Sequence, residues 1–313
     1  MTPTSSDGAP AVILVGGEAL YDLVLQGQGD DLRGHPGGAA FNTARTIGRL
    51  ERPVVYLGRL STDTFGERLR RMLGDDGVSL DSTVITDEPT TLALAEVDHD
   101  GVARYRFYER GTAAPGLTPD AAFGVLPERV DYLHVGTLGL TLEPVASALE
   151  AVVASLADTA LIAVDPNIRP WVITDPDAYR ARLARVLSNS HVVKVSEEDL
   201  AWLHGDLPPV EAVRALLAHG PTLGLLTRGP NGALVVTRTA EVAVPAPRAK
   251  VVDTIGAGDA FGGGFLAWWS ERGLTRDDLG TIDLAVEATT FACLVAARTC
   301  SRPGASPPWR SEL

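Results

Sequence analysis

Val252-Asp253-Thr254-Ile255-Gly256-Ala257-Gly258-Asp259-Ala260-Phe261 is the stretch on which the reading of the fold turns. A β-branched, apolar approach meets a loop with two glycines and an Asp. A helical segment follows and runs to Leu266-Ala267-Trp268-Trp269. Glycines at a strand-to-helix turn let the backbone come close to a ligand, and the first N–H groups of a helix lack partners inside it. Together they make an anion site with one carboxylate, Asp259, fixed beside it. A cradle for a transferring phosphoryl group requires these parts, plus a base to take the acceptor's proton.

The chain around this stretch alternates strand and helix. Ala11 to Val15, followed by Gly16-Gly17, is a continuous apolar run of buried-strand type. A small-residue helix opens at Gly37-Gly38 and runs to about Leu50, Pro53 to Leu60 reads as a strand, and Phe65 to Leu73 as a helix. Further strands are expected at 130–135, 160–164, 191–195, 223–226 and 233–237, with helices at 144–156, 178–186, 199–204 and 210–217 between them. Helices at 260–271 and 283–299 complete the pattern. Repeated βα units with short connections imply an α/β fold, a mostly parallel central sheet covered by helices on both faces. Residues 1–313 read as one such domain.

One segment breaks the pattern. Thr91 to Val97 and Val102 to Tyr108 alternate in polarity around Asp98-His99-Asp100-Gly101, which signals a hairpin. Paired with the early segment around Asp22, it predicts a small β lid inserted at about 18–36 and 90–110.

Composition narrows the classes of partner. The 313 residues are 45% hydrophobic and 21% charged, ordinary for a globular protein with a sizeable core. A formal charge of −13 argues against a nucleic-acid groove or an anionic membrane surface, where basic footprints are expected. The two cysteines, Cys293 and Cys300, lie in one expected helix, roughly 10 Å apart along its axis, beyond disulfide reach. Met1 to Pro10 lacks the order of a signal peptide, and no apolar run reaches membrane-spanning length. A cytoplasmic protein is expected.

Gly-x-x-x-x-Gly-Lys-Ser/Thr does not occur, nor does a Gly-x-Gly-x-x-Gly fingerprint after the first strand, nor Cys-x-x-Cys or His-x-x-x-His metal spacings. What does occur is a pair of glycine motifs far apart, Gly37-Gly38-x-x-x-Asn42 and Asp253-Thr-x-Gly-Ala-Gly-Asp259. In these two motifs, in this order, the chain resembles the ribokinase-like (PfkB-type) carbohydrate kinases. The resemblance runs from the Gly16 strand to Gly304-Ala305.

The resemblance implies roles residue by residue. Asp259 is expected as the base, and Gly256, Ala257 and Gly258 as the backbone anion hole. Gly37, Gly38 and Asn42 are expected at the sugar, the bare glycines admitting a polyol and the amide serving its hydroxyls. Asp22, on the lid, corresponds to the family's carboxylate for two sugar hydroxyls. A solvated turn Asp at 22 and a helix cap at 42 are the competing accounts. Asp165-Pro-Asn-Ile-Arg169 is similar to a stretch of the fructokinase and 2-keto-3-deoxygluconate kinase branches, with Arg169 near substrate or phosphate. A surface salt bridge from Arg169 to Asp165 is the alternative. Arg104 and Arg106 alternate with Tyr105 and Phe107, so that one hairpin face is expected to look into the sugar site.

Lys194-Val195-Ser196-Glu197-Glu198-Asp199 stands where the family has Asn-x-x-Glu, which arranges Mg²⁺ and its waters. Ser196 and Asp199 keep hard oxygen donors but with shorter reach, and Glu198 could replace Asp199. The same pair also reads as a helix capping box. Lys194, Thr227, Gly229, Gly232 and Cys293 fall at positions of the nucleotide site, Cys293 replacing an Asn found in many members. For a monovalent cation such as K⁺, the resemblance offers the Asp253 loop.

The expected activity is transfer of the γ-phosphate of ATP, with Mg²⁺, to a primary hydroxyl of a small sugar, fructose before other acceptors. A 2-keto-3-deoxygluconate kinase is the alternative acceptor reading. A weak sugar-sensing protein on the same fold is the alternative of another class. An exposed, aromatic hairpin edge predicts a homodimer through the lid.

Overall fold

Buried apolar runs and short polar connections set the strand and helix order from the first residues onward. The structure is a computed structural model that describes residues 10–25, 32–97 and 103–313, without the side chains of 95–97 and 103–105. In chain order, β1 (Ile13–Gly16), β2 (Leu20–Leu25) and β3 (Leu32–Gly37) precede α1 (Ala39–Arg49). Next come β4 (Val54–Ser61), α2 (Thr64–Asp75), β5 (Val78–Ser79), β6 (Thr83–Thr86), β7 (Leu92–Val97) and β8 (Ala103–Tyr108). The middle holds α3 (Pro119–Gly124), β9 (Tyr132–Gly136), α4 (Val145–Leu156), β10 (Leu161–Asp165), α5 (Pro176–Ser188), β11 (Val192–Ser196) and α6 (Glu197–His204). After α7 (Pro209–Leu217), β12 (Leu223–Thr227), β13 (Ala233–Val236) and β14 (Glu241–Val244) lead to α8 (Ala257–Glu271) and α9 (Ile282–Cys300).

The large sheet runs β14-β13-β12-β11-β10-β9-β1-β4-β5, with β6 also on β4. Its strands pair in parallel except at the β12-β13-β14 end, where two antiparallel pairings close the edge. Strands such as Leu161–Asp165 are buried at every position, as expected where both faces are covered. Successive residues of β1 therefore serve different layers. Ile13 and Val15 join the cluster under α1, α2, α8 and α9, while Leu14 joins the one under α3, α4, α5 and α7.

The hairpin reading of 91–108 holds for β7 and β8, which pair antiparallel; the turn from 98 to 101 lies outside the described residues. A separate sheet in the order β3-β2-β7-β8 forms the lid. The early segment supplies two of its strands, and β2 runs parallel to β7. The sequence pattern missed β2 and β3 as strands because Gly, Asp and His interrupt any period there. It also placed the start of the last glycine-motif helix three residues late. Helix α8 begins at Ala257, so Asp259 is inside its first turn rather than before it. Among the described residues, no helix is long and apolar enough to cross a membrane.

Trp269 fixes α8 on the sheet. It is fully buried, stacks on Phe265 with centroids 5.4 Å apart, and its Nε1 donates to the Thr275 carbonyl at 3.1 Å. Trp269→Ala removes those contacts and leaves that carbonyl with only the longer bond from the Asp278 N–H, at 3.4 Å. Urea unfolding is expected to register a loss of about 3–5 kcal/mol.

Candidate active site

Neighbouring strands of the parallel sheet deliver side chains to one edge. Glu18 follows β1, Thr137 follows β9, and Asp165, Ser196 and Thr227 end β10, β11 and β12. These are carboxyl ends, and the chain reverses its strand order between β4 and β9 on either side of β1, the place where open α/β sheets bind ligands. The lid stands over that edge.

Helices α1 and α8 meet at the centre. Asn42 Nδ2 donates to Asp259 Oδ2 at 2.8 Å, joining the two glycine motifs across 217 residues of sequence. Both side chains are buried, and Asn42 Oδ1 has no partner among the described residues. A helix-capping role for Asn42 does not account for this side-chain pair. Burial pushes the Asp259 carboxyl up to about 6, with Asp165 adding to the rise, while the Asn42 bond and the charges of Lys194 and Arg169 restrain it. At the helix start, the Ala257 N–H turns back to the Thr254 carbonyl at 3.2 Å. With Ala257 turned back in this way, the amides of Gly256, Gly258 and Asp259 are the ones at this terminus without a carbonyl partner among the described residues. Gly256 adopts φ 76, a left-handed conformation that favours glycine.

Lys194 reaches this helix end from β11. Its Nζ lies 3.0 Å from where a Cβ on Gly258 would stand and pairs with Asp165 Oδ2 at 2.8 Å. Burial alone would discharge the ammonium, but Asp165, and further off Asp199 and Asp259, turn the shift upward, so Lys194 stays charged. His134 lies nearby and is held neutral, its pKa pushed down to about 3 by burial and by Lys194. It cannot compete as a proton carrier at neutral pH.

The salt bridge to Asp165, the alternative reading of Arg169, is not formed; Asp165 pairs with Lys194. Arg169 Nη1 donates instead to Asn167 Oδ1 at 2.7 Å and to the carbonyls of Asn167 and Ile168. Asn167 adopts φ 39, which turns both its oxygens toward the guanidinium; Asn tolerates this region better than most residues. The positive charge of Arg169 is felt at Asp22, Asp165 and Asp259 alike. Asp22, on the lid, is raised by burial to about 6, with Arg169 pulling the other way. It is no solvated turn residue.

The glycines at 37 and 38 are bare for their neighbours' sake: a Cβ on Gly37 would collide with Asp22 Oδ2, and one on Gly38 with the Glu18 carbonyl. Arg106 is exposed, because β-pleating places it opposite Leu94 and Leu23, on the face away from the row Asp22, Ala93, Phe107. Phe107 packs against the cluster of Leu20, Ala93 and Leu138 instead. Arg104 has no described side chain.

Ser196 and Asp199 form the capping box of α6, with Asp199 Oδ2 accepting from the Ser196 N–H and hydroxyl at 2.8 Å. Asp199 Oδ1 also accepts the Ile168 N–H at 2.6 Å, which ties α6 to the loop carrying Arg169. Among hard donors, Glu198 stays exposed on that first turn, and Asp165 Oδ1 is buried without a partner among the described residues. Both oxygens of Asp253 are engaged, by the N–H groups of Ile255 and Gly304. Thr227 donates to the Val195 carbonyl at 3.2 Å. Gly229 and Gly232, both at positive φ, shape the loop that follows, and a Cβ on Gly232 would strike the Val244 carbonyl. Cys293 is buried in the apolar cluster, its thiol pushed up to about 11 by burial, so it is neutral and offers no charged contact.

Sequence reading missed Glu18. Its carboxylate is buried, with Oε1 accepting from the Ala39 N–H at 2.9 Å and Oε2 from the Gly139 N–H at 3.1 Å. Burial lifts it to about 7 against those bonds. The signal was present: an acidic residue directly after Gly16-Gly17, at the end of a fully buried strand.

A buried carboxyl at a helix N-terminus, a buried ammonium beside it and a roof that carries a second carboxyl fit a phosphotransferase for hydroxyl compounds. The pfkB family carbohydrate kinase profile matches residues 12–312. A fructokinase of Rhizobium leguminosarum bv. trifolii is 38% identical over 278 residues, 87% of this chain and 84% of that one. Among solved structures, a fructokinase from Xylella fastidiosa with bound ATP superposes with a TM-score of 0.83 at 30% identity, covering 94% of this chain and 93% of that one. A fructokinase from Vibrio cholerae O395 with fructose, ADP and calcium ion bound gives 0.82 at 28% identity, with 94% of each chain covered. The chain belongs to the pfkB family of carbohydrate kinases.

The buried carboxyl has a consequence for stability. Asp259 sits at about 6 in the fold against an ordinary 3.8, so folding favours its neutral form. That stability is complete below pH 3.8 and is lost as pH rises through 6. At about 1.4 kcal/mol per pH unit, the ceiling is on the order of 3 kcal/mol. Asp259→Asn should therefore unfold at higher urea than the wild type at pH 7.5, with the gap closing toward pH 4.

Proposed function

We propose that this kinase transfers the γ-phosphate of ATP to a primary hydroxyl of fructose. The observation that carries the proposal is the Asn42–Asp259 bond, which places the sugar motif and the anion hole in one buried site. Because Asn42 holds Oδ2, Oδ1 is left for the acceptor. The hydroxyl donates its proton to Asp259 as its oxygen bonds to the γ-phosphorus, and the bond to the β–γ bridging oxygen breaks, releasing ADP. The amides of Gly258 and Asp259, the α8 dipole and Lys194 face the charge that develops. Asp22, braced against Gly37, holds the sugar hydroxyls, and Arg169 supplies positive charge between lid and base. Lid strands over the site exclude water and so limit hydrolysis of ATP. The names of the relatives support fructose as the acceptor.

Magnesium bound with the nucleotide neutralises charge on its phosphate oxygens. Asp165 Oδ1 and Glu198 are the hard donors that fit it, while Ser196 and Asp199 are committed to each other. With the side chain of Asp253 engaged, a potassium ion in that loop is left to carbonyl oxygens. Two free thiols, Cys293 and Cys300, fit a reducing, cytoplasmic setting.

Coupled ADP release should follow fructose, and Asp259→Asn should lower kcat by about 10²–10⁴. The acid limb of kcat/KM should fall near pH 6, since the base works only when ionised. A sugar-acid acceptor, for which Arg169 offers a cation beside the lid, would show as turnover with 2-keto-3-deoxygluconate but none with fructose. Binding of fructose with no ADP release would mark a sensor.

The lid also proposes a homodimer. Its edge strands β3 and β8 expose Leu32 (54%) and Tyr108 (49%). Light scattering on the purified chain at micromolar concentration should give twice the 33.0 kDa mass; a single 33.0 kDa species rejects the dimer.

A further inference from the structure

The back of the anion hole is built from a part of the chain far from it in sequence. Gly256 is in direct contact with Ala305: a Cβ at 256 would stand 2.6 Å from Ala305 Cβ and 3.1 Å from its Cα. With no side chain between them, any shift of Ala305 passes straight to the backbone of Gly256. The neighbouring Gly304 N–H donates to Asp253 Oδ2 at 2.9 Å, so this segment holds the phosphoryl loop at both ends.

Ala305 is itself held by a buried guanidinium. Arg45 Nη1 donates to the Ala305 carbonyl at 3.0 Å, while its Nε donates to Asp76 Oδ2 at 2.6 Å. Asp76 caps α2, is buried, and gives its other oxygen to Arg49 Nε at 2.8 Å. Arg49 reaches past Ala305, its Nη1 donating to the Pro307 carbonyl at 2.7 Å. Arg45 stands one turn after Asn42 on α1. One helix thus grips the phosphoryl site twice, through Asn42 on Asp259 and through Arg45 behind Gly256.

We infer that Arg45 is a positioning residue for phosphoryl transfer, fixing Ala305 against Gly256 and so setting the first turn of α8 relative to the acceptor. The fork of the guanidinium suits this task, since it binds a carboxylate and a carbonyl at once in fixed geometry, which an ammonium cannot do. Transfer is sensitive to such placement because the protein contributes mainly geometry and preorganised charge. The inference rests on the reading of the α8 N-terminus as the phosphoryl site.

Arg45→Met keeps the stem and removes the fork, and Arg49 remains to counter the Asp76 charge. In coupled ADP release, kcat is expected to fall roughly tenfold to a hundredfold. KM for fructose should stay within about twofold and the acid limb near pH 6, because Asn42 and Asp259 are untouched. Arg49→Met, which frees Pro307 and not Ala305, should keep kcat within about twofold while removing the same charge. Arg45→Lys should recover only part of the loss. The inference is overturned if folded Arg45→Met turns over like the wild type, if KM rises in step with the fall in kcat, or if Arg49→Met loses as much. Should Arg45→Met fail to fold, Arg45→Lys decides: full turnover sinks the idea, and reduced kcat at unchanged KM upholds it. Asp259→Asn is assayed beside them, since undiminished turnover there would remove the phosphoryl-site reading itself, whatever Arg45 does.

Discussion

Burying a carboxylate is costly, and the architecture of this site follows from keeping Asp259 buried yet ionisable. Its neighbours divide into those that favour the charge and those that oppose it. Asn42 donates to one oxygen, while Lys194 and Arg169 supply positive potential; burial and the Asp165 carboxylate act against them. The balance leaves the carboxyl at about 6, well above an ordinary aspartate. Each helper is in turn fixed by something else. Lys194 is bound to Asp165, Arg169 is clamped by the two oxygens of Asn167, and Asn42 rides on a helix that Glu18 holds at its first amide. Remove any support and the carboxylate loses either its place or its charge.

The lid extends the same logic. Asp22 is a second half-desolvated acid, and it can lie flat against the diglycine turn only because Gly37 lacks a Cβ. The turn is equally close to the Glu18 carbonyl on its other side. Bare backbone at this point is therefore a packing requirement.

Much of this was readable in the sequence. Continuous apolar runs located β1, β4, β9, β10, β11 and β12 within a residue or two, because strands buried on both faces read as unbroken apolar stretches, while the short parallel strands β5 and β6 carried no such run. The glycine motifs announced Asp259 and Asn42, since few local structures need Gly-x-Gly before an acid. The alternation at 91–108 gave the hairpin. What remained hidden depends on contacts at long range. The engagement of Lys194 with Asp165 needs β10 and β11 side by side. The double use of Asp199, in its own cap and on Ile168, looks in sequence like an ordinary capping box. Arg106 misled because alternation tells which residues share a face and not which face meets the cleft. Glu18 carried a signal, an acid ending a buried strand, but nothing local distinguished it from a turn residue.

The meeting of Ala305 with Gly256 also bears on how the enzyme comes into being. Its α1 and lid strands are synthesised early, yet the wall behind the phosphoryl loop comes from residues beyond 300. A nascent chain can lay down most of the parallel sheet while still on the ribosome, but it lacks this wall until translation has passed residue 305. The site is in this sense completed late, and an incomplete chain carries Asp259 and Asn42 without Ala305 behind Gly256.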